Sequence, residues 1–287
     1  MIKQLVVSGG DITYFSMLGI IKTMKNELNN LEEIFAVSCG SWIGLCLSLK
    51  IDIDIIINYF IERPWEKLFN FNSDKFFKLY DSLGIYDVNI FHETFKPLLK
   101  MCNLDINITM KELYEYSNIK LNIYATKYSD LSYCCFNYEI SPNLKVMDAL
   151  FMSSSIPILF KPLKYNNEYY VDGGYNCNYP IIECLKKNKN KSEILGIETV
   201  CFNDLTVITE DENVFSFYIK LFYKFVLNKQ LSYNIDNNIN KIIIDYDLFT
   251  IERFMNVINN EQDRVEMIQN GVNCAKTYIE YNNQRVD

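Results

Sequence analysis

The sequence predicts an α/β fold in which helices cover a mainly parallel sheet. Two observations carry that expectation. Short β-like runs alternate with helical segments along the chain, and 49% of the 287 residues are hydrophobic, enough for a sizeable core. No repeat and no Pro/Gly/Ser-rich linker interrupts the pattern, so residues 1–287 read as one domain whose C-terminal part, 201–287, is the least defined.

Each element follows from local chemistry. "KQLVVS" is the first strand; it ends at Gly9-Gly10 and hands over to a helix expected from Ile12 to Leu28. "EIFAV" is the second strand, ending at Ser38 before a helix over Gly40–Leu49. Between residues 51 and 117 the pattern turns helical, in "IDIDIIINYFI", "SDKFFKLYDSLG" and "ITMKELYEYS", the last opening on a capping box of Thr109 and Glu112. This stretch reads as a helical insertion over the sheet. "KLNIYATKY" returns to strand, and "KYNNEYY" is a hairpin because Asn166 and Asn167 tolerate the left-handed conformations of a tight turn. The hairpin delivers the chain to Asp172-Gly173-Gly174, after which "EILGIETV" and "KIIIDYD" supply further strands.

Charge and cysteine content exclude several function classes. Lysine and arginine number 28 against 36 aspartates and glutamates, and a net charge of −8 opposes a nucleic-acid surface. Nine scattered cysteines form no CxxC pair, so neither a zinc site nor a disulfide framework is legible, and free thiols in a reducing compartment are expected. The first strand begins at residue 3, which leaves no room for a signal peptide, and no apolar run reaches the roughly 18 residues of a membrane span. The expectation is a cytoplasmic or other intracellular protein. "NVFSFYIKLFYKFVL", residues 213–227, carries Lys220 and Lys224 amid aromatics and reads as a core helix, a dimer contact or an interfacial helix touching a membrane surface.

Three short motifs carry chemistry. A strand, a sharp turn bearing Ser38 and a helix make a nucleophile elbow, in which small residues such as Gly40 let strand and helix approach closely. The alternative is a buried small-residue turn. Serine needs a base, and the chain contains a single histidine, His92, inside the helical insertion, so no histidine follows the serine as an α/β-hydrolase triad requires. Asp172, backed by Gly173 and Gly174, is the carboxylate in a constrained setting that can replace it, unless the DGG is a plain turn. The Gly9-Gly10 turn before the first helix can aim backbone N–H groups at an oxyanion, or it is simply a tight strand-to-helix connection.

Together, and in this order, these elements resemble the patatin-like phospholipase family over residues 1 to about 200. "VSGGDITYFSMLGII" is similar to its opening glycine loop and helix, "AVSCG" to its GxSxG, "MSSSIPILFKPL" to its ASxAxPxxFxPV segment, and "YYVDGGYNCNYPI" to its FVDGGxxxNxPI. The resemblance implies a three-layer α/β fold and hydrolysis of acyl esters of phospholipids or other acyl lipids by a Ser-Asp dyad, with no cofactor and no calcium. By motif position Ser38 would be the nucleophile and Asp172 the base, with Gly9, Gly10 and Asp11 furnishing oxyanion N–H groups.

The departures from the family pattern motivate an alternative, a catalytically impaired lipid-binding or regulatory protein on the same fold. Asp11 replaces a loop glycine, Thr13 a basic residue, Tyr14 the loop's final glycine, and Ala36 the first elbow glycine. A carboxylate about 6 Å from an oxyanion would cost on the order of 2–3 kcal/mol at an effective dielectric of 20. The expectation is that the Asp11 side chain turns away and caps the helix that follows.

Overall fold

The computed structural model describes residues 1–70, 79–188, 190–200, 239–245 and 251–284, with isolated positions between 214 and 224. Strand β1 (Gln4–Val7) leads through a short 3-10 turn, Asp11–Thr13, into α1 (Tyr14–Thr23); β2 (Glu33–Val37) leads directly into α2 (Cys39–Ser48). The insertion contains α3 (Ile53–Glu62), α4 (Trp65–Leu68), β3 (Gly84–Tyr86), α5 (Asn89–Met101) and α6 (Met110–Ser117). Strands β4 (Lys120–Lys127) and β5 (Tyr133–Phe136) follow, then α7 (Val146–Ser153), β6 (Ile158–Phe160), β7 (Leu163–Tyr165) and β8 (Glu168–Val171). The rest comprises α8 (Gly174–Cys177), α9 (Ile181–Lys187), β9 (Ile194–Val200), β10 (Asn240–Asp245), α10 (Ile251–Asn259) and α11 (Glu261–Asn283).

Eight strands form one sheet in the order β10-β9-β1-β2-β4-β8-β7, with β5 also pairing β4. The run from β10 to β4 is parallel, while β5, β7 and β8 join antiparallel. Helices cover both faces of the parallel part, which is why β1 and β2 are continuous apolar runs and are buried along almost their whole length. α1 is likewise apolar all round, buried from Tyr14 to Ile21, because it is packed among α11, α2 and α3. Gly19 and Gly271 permit that crossing, since a β-carbon on either would collide with the opposite helix's backbone.

The hairpin forms as expected, with Asn166 at φ 48° and Asn167 at φ 64°, and so does the capping box, Glu112 N–H donating to Thr109 Oγ1 at 3.2 Å and Thr109 N–H to Glu112 Oε2 at 2.8 Å. Three details differ from the sequence expectations. α1 stops at Thr23, where turns take over before Leu28. The insertion is not purely helical, because β3 pairs in parallel with β6 to make a second, two-stranded sheet. "YCCF" is a strand, held against β4 as a short antiparallel neighbour. Half of "SDKFFKLYDSLG" and most of "NVFSFYIKLFYKFVL" lie outside the described residues. Among the described residues no helix is long and apolar enough to cross a membrane.

Buried Arg264 ties the helical layer together through backbone carbonyls, with no carboxylate in salt-bridge contact among the described residues. Its guanidinium donates to the carbonyls of Val257 (2.8 Å), Ile258 (2.9 Å) and Ile61 (2.6 and 2.9 Å), joining the C-terminal ends of α10 and α3. A cation there complements the partial negative charge of both helix ends. Both helices contribute walls to the cavity described next.

Candidate active site

Adjacent parallel strands β1 and β2 both release their chains into loops at the same end of the sheet, where α/β folds place their ligand crevices. At the end of β2 the backbone of Ser38 takes φ 51° and ψ −128°, a conformation that residues with a β-carbon seldom adopt, and α2 begins at the next residue. Gly40 makes the sharp turn possible: a β-carbon there would stand 2.5 Å from Ser8 O and 2.7 Å from Val7 O. Strand and helix thus press against β1 at one point, and Ser38 Oγ is carried out above the sheet.

Asp172 meets it. Ser38 Oγ donates to Asp172 Oδ2 at 2.7 Å, and Gly174 N–H donates to Oδ1, also at 2.7 Å. The carboxyl is 3% exposed. Burial pushes it up to about 7 from the ordinary value of 3.8, against the pull of the Ser38 and Gly174 hydrogen bonds. A carboxylate that would be a feeble base in water is therefore raised toward neutrality, in contact with a serine hydroxyl.

The glycine loop lies beside this pair. A β-carbon on Gly9 would stand 3.1 Å from Ser38 Cβ and 2.5 Å from Asn178 Oδ1, so the loop packs on the serine directly. The expectation that Gly9, Gly10 and Asp11 all offer N–H groups needs one correction. Gly9 N–H donates to Asn178 O at 3.0 Å and is committed to holding the loop against the DGG segment. The Gly10 backbone lies near Cys39 and slightly offsets the rise of its thiol. The Asp11 carboxylate accepts from the N–H of its neighbour Ile12, but neither the 3-10 turn nor α1 has a side-chain cap hydrogen bond, so the expected helix cap does not form. Asp11 itself sits at φ 48°, the conformation its glycine-like position demands.

Cys39 follows Ser38 and competes with it on paper as a nucleophile. Burial first, then the negative charges of Asp11 and Asp172, hold its thiol well above the ordinary range. It therefore stays a thiol, while reactive cysteines need the thiolate. The described cysteines are all free thiols.

Residues that the sequence did not single out complete the frame. Ser153 Oγ accepts from Ser38 N–H at 2.8 Å and donates to Tyr124 O at 2.6 Å, pinning the strained elbow to β4. Ser154 Oγ accepts from Trp42 Nε1 at 3.1 Å, and Ser155 O accepts from Asp172 N–H at 3.0 Å. Gly173 N–H donates to Ser153 O at 3.0 Å. The serine triplet thus joins the elbow to the DGG turn; it lies in the "MSSSIPILFKPL" segment that the sequence matched to the family, without a role for its individual hydroxyls.

Ser38 opens on an apolar cavity walled by Tyr14, Trp42, Phe60, Trp65 and Phe254. His92 lies on α5 and is not among the residues lining it; its Nε2 is buried without a hydrogen-bond partner among the described residues.

Comparison with known proteins identifies the family and the fold. The family model of the patatin-like phospholipases matches residues 5–185. A probable lipid hydrolase, 463L of Invertebrate iridescent virus 6, is 26% identical over 274 residues, covering 93% of this chain and 89% of that protein. An uncharacterised protein, R571 of Acanthamoeba polyphaga mimivirus, is 26% identical over 183 residues, covering 63% of this chain and 60% of the other. Among solved structures, VipD from Legionella pneumophila has the same fold, with a TM-score of 0.56 and 16% identity over 97% of this chain and 67% of VipD.

Proposed function

The chain belongs to the patatin-like phospholipase family, and on that footing we propose that it is a lipid acyl hydrolase of the phospholipase A type working through a Ser38-Asp172 dyad. The observation that carries the reading is the 2.7 Å hydrogen bond from Ser38 Oγ to a buried carboxyl pushed up to about 7, made from a strained elbow. A plain structural turn has no need of that strain or of a desolvated carboxylate.

In the proposed reaction Ser38 Oγ attacks the ester carbonyl while Asp172 Oδ2 takes its proton. The carbonyl oxygen becomes an oxyanion, accepting from Gly10 and Asp11 N–H groups and facing the positive end of α2. Collapse expels the lipid alkoxide, which receives the proton from Asp172 and leaves an acyl-Ser38 ester. Asp172 then takes a proton from water, the hydroxide attacks the acyl carbonyl, and the proton returns to Ser38 as the fatty acid departs.

A fluorophosphonate probe tests the assignment at its root. Labelling of the native protein that disappears in a folded Ser38→Ala variant is the expected result; no labelling of folded native protein would favour the lipid-binding role instead. His92→Ala is expected to keep most of the turnover, because no step is assigned to the imidazole, and a collapse of kcat would reinstate a histidine mechanism. Calcium chelation is expected to leave kcat within about twofold, since the dyad already supplies the proton transfers that bring a nucleophile to the carbonyl. An absolute calcium requirement in a vesicle-free ester assay would contradict it.

A further inference from the structure

The cavity at Ser38 is small and ends at a ring. It encloses about 100 Å³, and at roughly 10–15 Å³ for each water-sized group it holds on the order of eight such groups. Its inner wall is Tyr14, 3% exposed, whose ring sits 5.5 Å from Trp42 and 4.7 Å from Phe60, between centroids.

A second opening of about 670 Å³ lies against the next turn of the same two helices, closed by α3 and the loops around Leu28, Lys50 and Asn118. Tyr14 and Phe15 of α1 face the first cavity, Leu18 and Ile21 the second; on α2, Cys39 and Trp42 face the first, Ile43 and Cys46 the second. These are offsets of three or four residues, so the two openings lie one turn apart along the α1–α2 contact. Tyr14 stands between them. Its hydroxyl is 3.4 Å from Cys46 Sγ, which lines the far side, and both residues are buried.

We infer that the Tyr14–Cys46 contact is a partition that fixes the acyl-chain length accepted at Ser38, so that short acyl chains fill the inner cavity and longer ones are excluded until the tyrosine ring is removed. The inference rests on the proposed hydrolase reading for its substrate, but the partition itself is a property of the α1–α2 contact. The near side is apolar, and the far opening has an apolar floor of Leu18, Ile21, Ile43, Cys46 and Ile56 beneath a polar rim of Lys25, Lys50 and Asp52; each methylene that gains a buried site on that floor contributes about 0.8 kcal/mol, close to fourfold in affinity. Removing the ring opens room for several.

The test compares native protein, Tyr14→Ala, the bulkier Tyr14→Leu in case the alanine variant folds poorly, and Tyr14→Phe, on p-nitrophenyl butyrate and p-nitrophenyl laurate, together with calorimetric binding of laurate. Tyr14→Ala is expected to raise the laurate-to-butyrate ratio of kcat/KM, and the affinity for laurate, about tenfold or more. Tyr14→Leu should move both in the same direction, whereas Tyr14→Phe, which keeps the ring, should leave the ratio within about twofold. Adding Cys46→Phe to Tyr14→Ala refills the partition from the far side and should return the ratio toward native. An unchanged ratio and unchanged laurate affinity in folded Tyr14→Ala and Tyr14→Leu would overturn the partition. If no ester is cleaved and the fluorophosphonate leaves Ser38 unlabelled, the hydrolase reading fails instead, and laurate affinity alone still decides the partition.

Discussion

Asp172→Asn is expected to lose at least about a hundredfold in turnover and, in the same protein, to gain stability at neutral and alkaline pH. The two effects share a cause. The folded carboxyl titrates at about 7 against 3.8 in the ordinary state, because burial penalises its charge more than the Ser38 and Gly174 hydrogen bonds favour it. Between those values the native state holds a proton that the unfolded chain has released, so stability falls as pH rises through the window and is level above it. About three units correspond to roughly 4 kcal/mol as an upper bound.

Asparagine is neutral at every pH and escapes this cost. Its amide oxygen can accept from Gly174 N–H while its NH₂ donates to Ser38 Oγ, which preserves both contacts of the wild-type carboxyl with the roles at Ser38 reversed. The unfolding temperatures of the two proteins should therefore agree near pH 4 and diverge toward pH 8, with the variant higher. In the native enzyme kcat/KM should drop about tenfold per pH unit below about 7, as protonation removes the base. A variant no more stable than the native protein at pH 8, or activity level down to pH 5, would show that Asp172 is not a strained base.

The elements that sequence reasoning reached were those set by local rules. Alternating apolar runs fixed the parallel strands, Asn166-Asn167 the hairpin and Thr109–Glu112 the capped helix, because each of these depends on residues close together in the chain. The Ser38–Asp172 encounter spans 134 positions and was reached only because both residues sit in motifs with their own turn chemistry. What stayed illegible depends on three-dimensional partners with no local pattern. Ser153 is one small hydroxyl among three, and its bridge between Ser38 N–H and Tyr124 O exists only once α7 has docked on β4. Gly9 gave the opposite error: its N–H is available by loop geometry, but Asn178, far along the chain, takes it. The strand β3 was missed because its edge partner, β6, lies more than 70 residues away and the strand has only three residues.

Ser38→Ala is expected to reduce hydrolysis by at least about ten-thousandfold, since no other group on the elbow can form the acyl intermediate. Its effect on stability is the sharper probe of the site. Alanine keeps a β-carbon at φ 51° and so keeps the backbone strain, while it leaves Asp172 Oδ2 without the Ser38 hydroxyl. Above pH 7 that exposes a buried carboxylate oxygen with no donor, a loss of about 1–3 kcal/mol that fades as the carboxyl protonates. Ser38→Gly removes the same hydroxyl and the same activity, but glycine occupies the left-handed half of the map freely, and relief of strain worth about 1–3 kcal/mol offsets the loss. Urea unfolding at pH 5 and pH 8 separates these contributions: glycine should exceed alanine at both values by a similar margin, and both variants should lose stability relative to native as pH rises. Equal stability of Ser38→Gly and Ser38→Ala would mean that no strain is held at the elbow. On the proposed reading, a fold that stores strain at one serine, and buries a carboxylate against it, gives up stability in order to hold a reactive pair in place.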